Sequence, residues 1–376
     1  MATSTNTLQG LELSTEEGVR AYLATTEWAG AAIVELSGGI TNFLYRLHLD
    51  TAYKGHSTLI LKHGKPYPKG YKALEFTLDR QMYEVEALQH VRKWLPTDAF
   101  VTVPEVFLFD PTANVIVMED AGAQSVTLKA FMQTGRASVS QAQKIGAEVG
   151  VFLGRLHQWG MDNEEILDVV RGFAQSRELS AWVFYGRLVS TVTGKDRLPK
   201  LQDPPLEITE SDLETVKHIA EETTRRLTLE EHNTFIMGDF WPGNLVVKTD
   251  VDGNLERIYV LDWELAKTGP TGMDIGQFAS EIHLLRRCNP ETCKDTASVL
   301  LEHFLKEYKA ARVPSVDDVK GAIVHWGAHA TICGARVDWG GKEITQQVVR
   351  EGVRLLVNGW NADEVWLRAS LIGNLL

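Results

Sequence analysis

The residues best suited to chemistry lie in two short segments of the sequence. Residues 237–244 read Met-Gly-Asp-Phe-Trp-Pro-Gly-Asn, and residues 261–264 read Leu-Asp-Trp-Glu. Their carboxylates and amide offer the hard oxygen atoms that Mg²⁺ prefers when it also binds substrate phosphates. The pattern therefore indicates chemistry on a magnesium-bound nucleotide.

The sequence between these segments predicts how they approach each other. Residues 245–247 and 258–261 are short apolar runs with an Asp-Gly turn signal between them, as in a β-hairpin. Antiparallel pairing would bring Asn244, at the start of the first strand, close to Asp262, at the end of the second. Asp239 belongs to the preceding loop, which is bounded by Gly and Pro, so we expect its carboxylate to face a substrate hydroxyl.

A glycine-rich stretch near the N-terminus could cover a phosphate. Gly38 and Gly39 lie between predicted strands at residues 31–36 and 43–49, and glycines in such a turn let backbone N–H groups approach phosphate closely. Taken alone, this stretch is more typical of an ordinary hairpin turn. Neither a P-loop nor a Rossmann glycine motif occurs in the sequence, so those nucleotide-binding folds have no support.

A lysine at the end of an apolar strand is a further candidate. Lys62 ends the strand predicted at residues 58–62, where an ammonium group can bind nucleotide phosphates and be held by a carboxylate on the next helix. That helix is predicted over residues 73–94, because apolar residues recur there every three or four positions. Glu84 and Glu86 flank its buried stripe, and helical phase alone does not decide which of them pairs with Lys62.

The two chemical segments resemble those of a known family. Gly-Asp-Phe-Trp-Pro-Gly-Asn followed by Leu-Asp-Trp-Glu is similar to the catalytic signature of the aminoglycoside phosphotransferase and choline kinase family of small-molecule kinases. Residues 261–276 are most similar to the methylthioribose kinase branch, and residues 37–39 and 61–63 are similar to those of fungal 4-hydroxytryptamine kinases. One departure is Met237, which stands where the family usually has His before Gly-Asp.

The resemblance implies a role for each residue of the two segments. Asp239 would orient the acceptor hydroxyl and accept its proton. Asn244 and Asp262 would hold Mg²⁺, and Glu264 would add a further ligand. Asp274, in the Met-Asp-Ile-Gly sequence that follows, would brace the catalytic loop.

ATP is the nucleotide that the resemblance implies, with Mg²⁺ as its metal. The family pattern selects Glu84 over Glu86 as the partner of Lys62, and it places the adenine on backbone groups at the end of the strand predicted near residue 118. The expected nucleotide-binding residues are Gly38, Gly39, Lys62, Glu84, Met118, Glu119 and Asp120.

The implied fold is α/β (α+β), bilobal and protein-kinase-like. Residues 1–119 would form a small N-terminal lobe, with an antiparallel sheet and one helix, that binds the nucleotide. Residues 120–376 would form a larger, mostly helical C-terminal lobe for catalysis and acceptor binding. Helical periodicity at residues 140–157 agrees with this assignment. Trp326, Trp339 and Trp360 lie in the C-terminal part, and we expect them to pack in its core, although indole faces can also hold an ammonium group.

Composition narrows the classes of partner. The 376 residues are 44% hydrophobic and 23% charged, which suits a globular chain with two cores. The net charge of −12 argues against nucleic acid or an anionic membrane as a partner, and no run of about 18 apolar residues predicts a membrane span. The 3 cysteines lack the spacing of a zinc site. We expect reduced thiols in a cytoplasmic protein that acts on a small molecule.

Three classes of function are open to a chain with these features. The first is an ATP-dependent kinase for a small-molecule hydroxyl, on an aromatic amine such as a hydroxytryptamine or on a methylthioribose-like sugar, with an aminoglycoside or amino-alcohol as alternatives. The second is a non-catalytic nucleotide-binding protein that works by protein interaction, which would predict loss of Asp239 or Asp262. The third is a protein kinase, which Asp-Trp-Glu in place of Asp-Phe-Gly argues against.

Overall fold

The chain folds into two units of unequal size. The computed structural model describes residues 11–37, 39, 41–70, 74–229 and 232–376. The first unit comprises the chain up to residue 125 together with residues 259–264, and the second comprises residues 126–258 and 265–376. Gly38, predicted to contact phosphate, lies outside the described residues.

An antiparallel sheet forms the centre of the first unit. Its strands are β1 (Ala32–Leu36), β2 (Phe43–Tyr53), β3 (His56–His63), β5 (Val106–Asp110) and β6 (Val115–Glu119). A short strand, β4 (Val101–Thr102), lies between β3 and β5 in the chain and belongs to another sheet. The spatial order is β1-β2-β3-β6-β5, with every neighbouring pair antiparallel. The helices are α1 (Glu16–Leu23) and α2 (Arg80–Trp94).

Side-chain alternation along β3 determines where Lys62 points. Leu59 and Leu61 are fully buried in the larger core of this unit. Ile60 lies on the opposite face, where it packs with Val85 of α2. Because side chains two residues apart share a face of a strand, Lys62 projects toward α2 like Ile60.

The helix predicted over residues 73–94 is shorter in the structure, and this prediction was wrong at its N-terminal end. α2 begins at Arg80. The Arg80 guanidinium donates to the backbone carbonyls of Phe76 (3.3 Å) and Thr77 (2.9 Å), so side-chain donors take the acceptors that a longer helix would use. The apolar spacing upstream of Arg80 therefore reflects packing of an irregular segment.

The second unit is mostly helical. Its helices are α3 (Leu128–Gln133), α4 (Val139–Asp162), α5 (Glu164–Arg171), α6 (Ala174–Ala181), α7 (Leu188–Val192), α8 (Glu210–Leu229), α9 (Gly272–Cys288), α10 (Pro290–Ala311), α11 (Val316–Arg336), α12 (Gly341–Asn361) and α13 (Glu364–Ala369). Its strands are β7 (Val126–Thr127), β8 (Phe235–Ile236), β9 (Leu245–Thr249), β10 (Leu255–Val260, which ends in the first unit) and β11 (Lys267–Thr268). None of the helices in the described ranges combines the length and apolar character needed to cross a bilayer.

The predicted hairpin and fold class are confirmed. β9 and β10 are neighbours in one sheet, and their connection is closed by the Gly253 N–H, which donates to the Asp250 carbonyl (3.1 Å). The strands are longer than the apolar runs that predicted them. An antiparallel sheet in the N-terminal part and helices in the C-terminal part agree with the α/β (α+β) expectation.

Close helix packing in the second unit depends on glycines. Gly146, Gly150 and Gly154 recur every four residues on α4, and a β-carbon at the first two would overlap the carbonyl oxygens of Leu300 and Phe304 on α10. Residues four apart lie on one face of a helix, so the three glycines form a flat surface on which α10 rests directly.

We expect Gly146→Ala to lower the thermal unfolding midpoint, because the new methyl overlaps the backbone of α10. Overpacking of this kind costs about 1–3 kcal/mol. Gly321→Ala on α11 is the matched control, since its methyl would meet only ordinary contacts, and the substitution should stabilise the helix by up to about 1 kcal/mol. Melting curves of both variants measure the difference, and a Gly146→Ala variant that melts at or above the parent temperature would contradict the packing argument.

Candidate active site

Lys62 is held by two carboxylates of the first unit. Its Nζ lies 2.7 Å from Glu84 Oε1 and 2.6 Å from Asp262 Oδ1. Burial alone would lower the pKa of Lys62, but the charges of Asp262, Glu84 and Glu264 outweigh it and raise the pKa. Glu86, the other candidate partner, lies near His90 instead, at 3.7 Å.

Asp262 holds its position through an unusual backbone conformation. Its φ is 65°, in the left-handed region that residues other than glycine adopt at a cost. Its side chain is 34% exposed, whereas those of Lys62 and Glu84 are 5% and 1% exposed. Asp262 is therefore the member of this cluster that a ligand can reach most directly, and strain of this kind is typical of functional sites.

Glu264 is fixed by two residues that sequence reasoning missed. Its Oε2 accepts hydrogen bonds from Asn42 Nδ2 (2.7 Å) and Arg80 Nε (3.2 Å). Arg80 also donates to Asn42 Oδ1 (3.0 Å) and has no exposed surface. Asn42 could have been selected as a site residue because it ends the glycine-rich stretch. Arg80 belongs to no motif in the sequence.

The carboxylates of the first unit fit a hard divalent cation. Glu84, Asp262 and Glu264 can each present one oxygen such that these atoms lie within 4.8 Å of one another. Glu84 Oε2 is buried without a hydrogen-bond partner among the described residues. Within the same part of the chain, the polar contacts of Glu264 are made by Oε2, which leaves Oε1 for a cation. Such oxygen donors suit Mg²⁺, so the residues present are compatible with the metal that the sequence predicts.

The segment after β6, predicted to hold an adenine, is fixed by its acidic side chains. Asp120 accepts two hydrogen bonds from Arg46, at 2.6 and 3.0 Å. Glu119 Oε2 accepts from the Glu105 N–H (3.1 Å), and the Glu119 N–H donates to the Glu105 carbonyl (2.8 Å). An adenine would therefore have to use the other backbone groups of this segment.

Asp239 lies in the second unit between two amide donors. Its Oδ2 accepts from Asn244 Nδ2 (2.9 Å) and its Oδ1 accepts from Gln277 Nε2 (2.6 Å). Asn244 Nδ2 also donates to the Asp239 carbonyl (3.0 Å), so its Oδ1 points away from the carboxylate that its nitrogen holds. Gln277 was missed from the sequence, although it follows Asp274 by one helical turn on α9.

The loop before Asp239 is braced by Asp274, as predicted. The Asp274 carboxylate accepts the N–H groups of Met237 (2.9 Å) and Gly238 (2.8 Å). His157 Nε2 lies 3.1 Å from the same carboxylate, and His157 Nδ1 lies 2.9 Å from the Tyr308 hydroxyl. Because the brace uses backbone N–H groups, it does not depend on the side chain at residue 237, where Met replaces the usual His.

Only glycine fits at residue 238, because neighbouring atoms leave no room for a side chain. Its φ is 80°, and a β-carbon there would overlap Lys267 Nζ and the Leu265 carbonyl. Lys267 is buried and donates to that carbonyl (2.9 Å). Burial lowers the pKa of Lys267 to about 8, against the opposing charges of Asp274 and Asp239. A buried ammonium group therefore supports the loop directly before Asp239.

Several known proteins are similar to this chain over most of its length. A model of the phosphotransferase enzyme family matches residues 32–309. The 4-hydroxytryptamine kinase of Psilocybe cyanescens is 29% identical over 350 residues, which cover 91% of this chain and 92% of the relative. The methylthioribose kinase of Geobacillus sp. (strain WCH70) is 24% identical over 261 residues, which cover 68% of this chain and 61% of the relative.

A solved structure can be aligned over most of the chain. The streptomycin-ATP-APH(2")-IIa ternary complex gives a TM-score of 0.49 at 15% identity, covering 92% of this chain and 98% of that chain. The resemblance predicted from the motifs is confirmed by the family model and the curated relatives.

Proposed function

Because the chain belongs to the phosphotransferase enzyme family, we propose that it transfers the γ-phosphoryl group of ATP to a hydroxyl of a small aromatic amine such as a hydroxytryptamine. The acceptor class is supported by the 4-hydroxytryptamine kinases among its relatives. A methylthioribose-like sugar is the second candidate, supported by the methylthioribose kinases.

The observation that carries the proposal is the setting of Asp239. Both of its carboxylate oxygens accept hydrogen bonds from side-chain amides, those of Asn244 and Gln277, so the orientation of the carboxylate is fixed. The Asp274 carboxylate binds the backbone N–H groups of the two residues before Asp239. A carboxylate fixed in this way can orient an acceptor hydroxyl and take its proton. The hydroxyl oxygen then forms the new bond to phosphorus, the bond from the γ-phosphorus to the β,γ-bridging oxygen breaks, and ADP leaves.

The first unit supplies the groups for the nucleotide. Lys62, oriented by Glu84, would donate to phosphate oxygens, together with backbone groups at Gly38 and Gly39 and at residues 118–120. The magnesium ligands that the sequence predicts are Asn244, Asp262 and Glu264, and this set remains part of the proposal. Bound Mg²⁺ would neutralise phosphate charge during transfer.

An acceptor panel tests the proposal. Purified protein is incubated with ATP and Mg²⁺, and both ADP formation and the phosphorylated product are followed, the latter by mass spectrometry. The panel contains 4-hydroxytryptamine, methylthioribose, an aminoglycoside, an amino-alcohol and a generic protein substrate. We expect stoichiometric ADP and phosphorylated product with the hydroxyaryl amine.

Other results of the acceptor panel would favour a different function. Phosphorylated methylthioribose without phosphorylated amine would favour the second candidate. Phosphorylation of the protein substrate alone would overturn the small-molecule assignment. Nucleotide binding without transfer to any acceptor would support a non-catalytic interaction protein instead.

A further inference from the structure

Lys129 lies in a cage that is chemically suited to an ammonium ion. Its Nζ is 4.1 Å from the ring centroid of Trp339 and 5.1 Å from that of Trp241, within the distance at which indole faces attract cations. The same nitrogen donates to Glu281 Oε2 at 3.0 Å. Two indole rings and one carboxylate therefore surround a single ammonium group that belongs to the protein itself.

The walls of this cage are fixed by their neighbours. Glu281 has only 3% of its side chain exposed and accepts a second hydrogen bond, on Oε1, from His329 Nε2 (2.9 Å). Trp339 is 5% exposed, as the predicted core packing requires. The indole of Trp241 lies against Gly243, where a β-carbon would overlap its ring. The cage is thus preformed, and the Lys129 side chain, at 17% exposure, is less buried than Glu281 and Trp339.

The cage is close to Asp239 in both sequence and structure. Trp241 follows Asp239 by two residues in the same loop, and the Lys129 N–H donates to the carbonyl of the next residue in that loop, Pro242 (3.0 Å). Gln277, which contacts Asp239, precedes Glu281 by one turn of α9, a rise of about 6 Å. A molecule whose hydroxyl meets Asp239 could therefore extend an ammonium group of its own toward Glu281.

The charged groups around the cage limit how a second ammonium ion can bind there. Burial would lower the pKa of His329, but its contacts with Cys333 and Glu281 raise it to about 10, which favours the imidazolium form of His329 beside Glu281. With Lys129 in place, the Glu281 carboxylate then contacts two cationic groups, those of Lys129 and His329. A third cation would meet net repulsion, which means that an incoming ammonium ion has to replace that of Lys129.

We propose that Trp241, Trp339 and Glu281 form the ammonium subsite for the acceptor, and that Lys129 is an internal competitor that occupies this subsite until the acceptor displaces it. This inference rests on the proposed function for the identity of the acceptor. It makes Lys129 a specificity-determining residue, because only a ligand with a competing cation recovers the interactions that Lys129 gives up.

Lys129→Met tests the competitor role through the direction of its effect. The variant keeps an apolar side chain and removes the charge, so we expect the dissociation constant of tryptamine, a probe that lacks the hydroxyl, to fall by about 5- to 30-fold, the range of a desolvated cation–π contact. Binding is measured by isothermal titration calorimetry without ATP. Indole-3-acetate carries a carboxylate in place of the amine, so its dissociation constant should not show this fall in the variant.

Three variants serve as controls. Lys129→Arg keeps a cation in the cage and should show no such gain. Lys217→Met removes a lysine paired with Glu214 on α8 and should leave tryptamine binding unchanged. Adding Glu281→Gln to Lys129→Met should cancel the gain, because the carboxylate that receives the probe is gone. Melting curves identify any variant that fails to fold, in which case Lys129→Gln replaces Lys129→Met.

The outcomes separate this inference from the proposed function. Unchanged or weaker tryptamine binding to folded Lys129→Met would overturn the competitor role, and a loss of indole-3-acetate binding in that variant would assign Lys129 to an anionic group instead. Tighter tryptamine binding with no phosphoryl transfer to any acceptor would support the subsite while overturning the kinase proposal. Phosphoryl transfer to a hydroxyaryl amine, together with unchanged tryptamine binding in Lys129→Met, would support the kinase proposal while overturning the subsite.

Discussion

Replacing Asp239 with Asn is expected to reduce turnover by about 10²–10⁴-fold, the usual contribution of a positioned general base. The amide has nearly the same volume but cannot accept the proton of an acceptor hydroxyl. It also presents an NH₂ group to a site where Asn244 and Gln277 both donate, so one of these two hydrogen bonds is lost unless a neighbour reorients. The steady-state rate of acceptor phosphorylation measures the effect.

Asp252→Asn is the matched control for this variant. It makes the same chemical change at an exposed position in the turn between β9 and β10, so the phosphorylation rate should equal that of the parent. ATP binding to Asp239→Asn, measured separately, should also stay close to normal because Asp239 acts on the acceptor. Near-parental turnover in Asp239→Asn would remove the basis of the proposed role.

Lys62 and Glu84 are expected to act as one unit on the nucleotide. Lys62→Met should lower kcat/KM for ATP by about 10²–10³-fold, comparable to removal of one preorganised donor to a developing charge. Glu84→Gln should lower it less, because Asp262 still contacts Lys62 at 2.6 Å. The double variant should be little worse than Lys62→Met alone, since groups in contact show non-additive effects.

Glu86→Gln completes this cycle as the control on the same helix. Glu86 contacts His90 rather than Lys62, so its substitution should leave kcat/KM for ATP unchanged and should add independently to Lys62→Met. Additive losses for Lys62 and Glu84, or coupling between Lys62 and Glu86, would show that the ion pair in the structure is not the one that orients the nucleotide.

The parts of the fold that follow local rules were predictable from the sequence. The apolar run at residues 58–62 predicted the strand that carries Lys62, and the Asp-Gly turn signal identified the hairpin. The start of α2 was not predictable, because side-chain hydrogen bonds of Arg80 replace helical ones there. A side-chain donor that captures a backbone carbonyl leaves no periodic trace in the sequence.

The candidate site was predictable where its residues belong to contiguous motifs and not where separate segments converge. Asp239, Asn244, Asp262 and Glu264 could be identified from spacing and resemblance. The side chains that donate hydrogen bonds to Glu264 are Asn42, which lies 222 residues away in the chain, and Arg80, which lies 184 residues away. The cage around Lys129 likewise combines α3, the Asp239 loop, α9 and the connection between α11 and α12, so each member alone indicates only packing.

The return of residues 259–264 to the first unit has a consequence for synthesis on the ribosome. Arg80 is fully buried, and the carboxylate that it contacts is that of Glu264. A nascent chain that ends at residue 125 lacks this partner, and burying a guanidinium without a counter-charge is strongly unfavourable. We therefore expect the first unit to reach its native packing only after residue 264 has left the exit tunnel. Limited proteolysis of stalled nascent chains should show protection of residues 11–125 appearing with that length and not before.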